Sequence, residues 1–164
     1  MVNANICKLA GFTTAIAFES VFSGGNFIPI HSYADAEGNC KFQFVQGETA
    51  QESVDLCEKY LEENPSNAAG STVVFVSLVT IDGESLEGLT IQFRAFEDEH
   101  NGVIELFFPY SGSSESDDFF IHPIRVHAAP EAVVNAIPTI LDKFFEGLLE
   151  REEGAKILEA HYKK

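Results

Sequence analysis

Hydrophobic positions along this chain change period several times, and each change marks an element. Residues 3–22 carry two periods at once. Ile6, Leu9, Ala10, Thr13, Ala17 and Val21 recur as on one side of a helix, while Phe12, Thr14, Ile16, Phe18, Ser20 and Phe22 alternate as in a strand. The helical period is the preferred reading, and Ser23-Gly24-Gly25-Asn26 breaks the chain under either. Phe27–Ala34 and Cys40–Gln46 then read as a hairpin turning at Ala36-Glu37-Gly38-Asn39. With Gly38-Asn39 as its central pair, Tyr33 faces Phe44 and Asp35 faces Phe42.

Thr49 and Glu52 have capping-box spacing, so a helix is expected from there to Asn64-Pro65, with Ala50, Val54, Cys57 and Leu61 on its apolar side. Thr72–Ile81 is apolar at successive positions, the mark of a strand covered on both faces. Leu89–Glu97 and Val103–Tyr110 form a hairpin through Asn101-Gly102, with Phe93 opposite Tyr110, Ala95 opposite Phe108 and Phe96 opposite Phe107. Gly112–Asp118 is a polar acidic loop. Phe119–Val126 is a strand that Pro123 demotes to an edge or bulge. From Pro130 onward the chain is helical. Its wide apolar stripe runs from Val133 to Leu149, and Pro138 within it predicts a kink or restart.

This order predicts one α+β domain spanning residues 1–164. A mostly antiparallel sheet of about five to six strands packs against a long C-terminal helix and one shorter helix.

Composition narrows the partners. There are 26 Asp+Glu against 10 Lys+Arg, a net charge of −16. Such a chain repels phosphate, which argues against nucleic acid and anionic membrane surfaces and favours a basic partner. No apolar run has the length of a membrane span. Leu9–Phe18 is moderately apolar, but Lys8 alone precedes it as a cation and Thr13 and Thr14 interrupt it, so a leader peptide is not expected. Cys7, Cys40 and Cys57 are few and far apart, which fits reduced thiols in a cytoplasmic protein.

Candidate chemistry is sparse. The five histidines form no metal-ligand spacing, and His122 and His127 have opposite parity on their strand. The acidic groups Asp82/Glu84/Glu87, Glu97/Asp98/Glu99 and Glu115/Asp117/Asp118 read as solvated turns. No glycine-rich phosphate loop or nucleophile elbow occurs, so neither cofactor nor metal is expected. The hairpin through Asn101-Gly102 gathers Arg94, Phe96, Glu105 and Phe107 on the face away from Phe93, Phe108 and Tyr110, and these four are the candidate binding residues. The expected function is a non-enzymatic protein-binding module. The alternative is a small-ligand carrier or enzyme with an apolar pocket between sheet and long helix. The composition resembles that of small acidic secretion chaperones and toxin-immunity proteins, a likeness that no motif carries.

Overall fold

The computed structural model describes residues 3–24, 26–35, 37–96, 102–112 and 118–162. Asn3 caps the first helix, α1 (Ala4–Phe22), by accepting from the Asn5 N–H at 2.8 Å. Helix α1 is apolar nearly all round because it is buried on more than one side. Thr13 and Thr14 enter the core by donating their hydroxyls to the Leu9 and Ala10 carbonyls one turn back.

The strands β1 (Ile30–Ala34), β2 (Cys40–Phe44), β3 (Gly70–Ile81), β4 (Glu84–Ala95), β5 (Ile104–Ser111), β6 (Phe120–Ile121) and β7 (Arg125–Ala128) form one seven-stranded sheet. Its order is β2-β1-β3-β4-β5, and β6 and β7 both pair with β5. Every pairing between these seven strands is antiparallel. The expected Phe119–Val126 strand is thus two short strands, with Pro123, which cannot donate to a ladder, in the gap between them.

Helix α2 (Ala50–Glu63) begins at the expected box: Thr49 accepts from the Glu52 N–H at 3.1 Å, and the Glu52 carboxylate reaches back to the Glu48 N–H. It ends on Asn64 in the left-handed conformation. The C-terminal stripe is not one long helix. A 3-10 turn (Glu131–Ala136) precedes α3 (Ile137–Leu149), which restarts with Pro138 in its first turn, and α4 (Glu152–His161) follows.

Two layers flank the sheet. Helix α1 lies over β1, β3 and β4 on one face, with α3 and α4 packed against it. This face holds the larger core, including Phe18, Val74, Ile91, Phe93, Phe108 and Phe144. Helix α2 covers β3 on the other face with Cys57 and Leu61 over Val73 and Phe75. Helix α1 makes the broader contact with the sheet, while α3 closes on α1 and reaches the sheet through Phe144 and Phe145 beside Phe108 of β5. Gly11 and Gly147 permit the approach, since a Cβ on Gly11 would collide with the Phe144 carbonyl and one on Gly147 with the Lys8 carbonyl.

Three expectations about the strands are corrected. Strand β3 is covered on both faces only as far as Phe75; from Val76 its burial falls away, and Leu78 is 71% exposed. In the β4–β5 hairpin Phe107 lies opposite Thr90 and Glu105 opposite Gln92, not Phe107 opposite Phe96. The connection is longer than a two-residue turn, and Glu97–Asn101 within it, with its acidic cluster and His100, lie outside the described residues. That slip is an even number of residues, so each side chain keeps its expected face.

The β1–β2 slip is odd and reverses a face. Ser32, not Asp35, pairs with Phe42, and Ile30 pairs with Phe44. The cause is Asp35, whose carboxylate accepts from the Glu37 and Asn39 N–H groups while its own N–H donates to the Asn39 carbonyl. The side chain builds a five-residue loop where the sequence suggests a tighter turn.

Candidate functional site

Arg94, Phe96, Glu105 and Phe107 do share one face of the sheet, but their neighbours give them different work. Arg94 Nη1 donates to the Leu61 carbonyl at 2.9 Å, in the last turn of α2. That turn has no basic residue of its own, so Arg94 supplies the cation that a helix C-terminus favours. Its guanidinium lies 5.0 Å over the Phe96 ring. Glu105 accepts from the Gln92 amide at 2.7 Å, directly across the strands.

Phe107 is fully buried and stacks on His127 at 5.0 Å. Gly88 makes the room, since a Cβ there would stand 2.7 Å from the ring. Phe107→Ala is therefore expected to cost about 3–5 kcal/mol. A urea titration reads this directly, and a loss under about 1 kcal/mol would return Phe107 to the surface as a contact residue.

Next to this group lies a buried polar cluster that sequence spacing did not single out. His31 is fully buried and sandwiched between Tyr33, at 5.1 Å, and Tyr60, at 4.1 Å. Its Nε2 meets Ser71 Oγ at 3.2 Å, and its Nδ1 meets the Gln43 amide at 3.1 Å. With the amide nitrogen donating to Nδ1, the ring proton sits on Nε2 and goes to Ser71. The ring then cannot take the serine's proton, so the pair orders strands instead of making a nucleophile.

Burial also pushes the His31 pKa down to about 4. The folded state thus holds the ring neutral where the unfolded chain, titrating near 6.5, takes up a proton. The resulting stability is complete above about pH 6.5 and is lost as pH falls towards 4. It is worth about 3 kcal/mol. Chemical denaturation across this range should show a steeper acid loss in the wild type than in His31→Gln; equal slopes would contradict the assignment.

Other reactive groups are similarly engaged. Ser111 Oγ contacts His122 Nε2 at 2.7 Å, and His127 stacks on Phe107, so the two histidines serve different partners. Burial pushes the Cys7 and Cys57 thiols up to about 12, away from thiolate chemistry.

The surface is where this protein departs from the ordinary. Phe42 and Phe44 are 56% and 57% exposed. They stand on the same side of edge strand β2, edge-to-face at 6.2 Å. They are the only aromatic side chains among the large exposed hydrophobics of the described residues. Where β2 ends, a cleft of about 820 Å³ opens between Phe27–Pro29, the N-terminus of α2, the Phe75–Val76 stretch of β3, Glu87 and Tyr110. Tyr110 hydrogen-bonds to Glu87, and burial, reinforced by that carboxylate, raises the phenol pKa. Every residue of β2 is exposed, so the Phe pair stands in water because its strand is the outer edge of the sheet, a placement that residue pattern alone does not reveal.

No family model matches the chain, nor does any curated protein or solved structure. Among the described residues no helix is long and apolar enough to cross a membrane.

Proposed function

We propose that this protein is a non-enzymatic binding module that engages a basic protein partner, in the manner of an immunity protein, chaperone or adaptor. The observation that carries this reading is the Phe42–Phe44 pair on the outer strand. Two adjacent aromatics held half in water by a rigid strand are the side chains that yield most binding energy when a partner desolvates them. Lys41 on the same strand guards the edge against indiscriminate pairing.

The net charge of −16 supplies the other half of the argument. It accelerates encounter with a basic surface and opposes nucleic acid and anionic lipid. Free thiols at Cys7, Cys40 and Cys57 fit a reducing, cytoplasmic setting. Four residues expected at the contact take other places in the reading: Arg94 ties β4 to the end of α2, Glu105 links β5 to β4, Phe107 is buried, and Phe96 backs Arg94.

The double variant Phe42→Ser/Phe44→Ser tests this. Its melting temperature should stay within a few degrees of wild type, because neither ring is in the core. Its recovery of the wild-type's partners from the source cell should fall by at least tenfold. Undiminished recovery by a folded variant would refute the reading.

A further inference from the structure

Strand β3 carries a docking feature of a different kind. Its neighbour β1 stops at Ile30, opposite Val74. The preceding residue, Pro29, has no N–H to offer and turns its carbonyl to the Val45 N–H at 2.8 Å. Strand β3 nevertheless runs on to Ile81 with β4 alone beside it. Asp82 and Gly83 both have positive φ, 51° and 81°, as a type I′ turn requires. Such a turn is closed by a hydrogen-bonded pair, Ile81 with Glu84, and the ladder alternates from there. Val76, Leu78 and Thr80 therefore direct their N–H and C=O groups away from β4. Among the described residues no backbone group pairs with that outward edge.

We propose that this edge accepts an extended segment of a partner protein as an added antiparallel strand, and that the segment alternates apolar residues with Lys or Arg. The inference rests on the protein-binding reading above. Charge selects the occupant. The cleft along the edge is lined by Glu48 and Glu87 and, among its lining residues, by no Lys or Arg. Asp82 and Glu84 extend the acidity along the hairpin. Among the described residues, the cations seen in ion pairs, Lys8, Lys143, Arg151 and Lys156, lie on the helical layer, and none of them pairs with these carboxylates. Glu87 pairs across the strands with Leu78, so the basic residues of the segment fall on the face of Val76, Leu78 and Glu87, while its apolar residues fall on the opposite face with Phe75 and Val79. A second copy of this chain would bring another acidic hairpin, with its own Asp82, Glu84 and Glu87, alongside this one and is disfavoured for the same reason. Backbone pairing supplies the affinity in this mode, and the alternate side chains supply the specificity.

The test uses a capped heptapeptide of alternating Lys and Val, its analogue with alternate backbone amides methylated, and a Glu-for-Lys version. On saturation with the Lys peptide, amide exchange at Val76, Leu78 and Thr80 should slow by at least tenfold. Leu78→Pro removes one outward donor and leaves the β4 ladder whole, so it should weaken binding at least tenfold. The methylated and Glu peptides should bind at least tenfold more weakly as well. If the Leu78→Pro variant melts early, Thr80→Pro replaces it. Equal affinity in a folded proline variant, equal binding of the Glu peptide, or dimerisation through this edge would overturn the proposal. Should the peptide fail while Phe42→Ser/Phe44→Ser still abolishes partner contact, this edge is refuted and the broader reading stands.

Discussion

Phe108→Ala should cost about 3–5 kcal/mol, against a total stability of about 5–15 kcal/mol for a domain of ordinary size. Phe108 is fully buried on β5 and joins three helices to the sheet. Its ring meets Phe18 of α1 edge-on at 5.1 Å, Phe145 of α3 at 6.0 Å, and Tyr162 just beyond α4 at 6.1 Å. Truncation leaves a cavity whose walls are themselves large rings on separate elements, which can collapse only by shifting helices. A urea midpoint at unchanged slope gives the loss directly, and a value under about 1.5 kcal/mol would mean that α3 is not seated on β5 as described.

Gly147→Ala is expected to destabilise even though it improves helix propensity. The propensity gain is about 1 kcal/mol. Against it stands a collision between the new methyl group and the Lys8 carbonyl of α1, which are backbone atoms with no rotamer to escape into. Relieving it requires the two helices to separate, with loss of the contacts around Phe144 and Leu148. Overpacking of this sort costs about 3 kcal/mol or more, so the balance is a net loss of at least about 2 kcal/mol. A neutral or stabilising result in thermal melts would show that α1 and α3 do not touch there.

Elements set by local chemistry were readable from the sequence. The Thr49–Glu52 cap, the Asn64-Pro65 stop, the Pro138 restart and the Asp82-Gly83 turn depend on neighbours within a few residues, and all appear. Helix α1 was ambiguous for a physical reason. It lies between the sheet and α3–α4, so apolar and small residues ring it and blur the helical period. The run from Thr72 to Ile81 looked interior throughout because composition does not reveal where a neighbouring strand ends. Pro29, remote in sequence, ends it. Register was the least legible quantity. At β4–β5 the error preserved faces, so Arg94, Phe96, Glu105 and Phe107 were grouped correctly, yet nothing in the pattern showed that Gly88 makes room to bury Phe107. At β1–β2 the Asp35 carboxylate shifted the pairing by an odd step, but Phe42 and Phe44 are in water because β2 is the outermost strand, exposed at all five of its residues.

That surface pair is the centre of the functional account, and site-specific photocrosslinking in the source cell addresses it most directly. A photoreactive phenylalanine is placed at position 42, at position 44, and at position 134, where Val134 is 53% exposed on the 3-10 turn. Discrete adducts with a basic protein are expected from positions 42 and 44 and none from position 134. No adduct at either strand position, or the same adducts from all three, would contradict a contact at this pair.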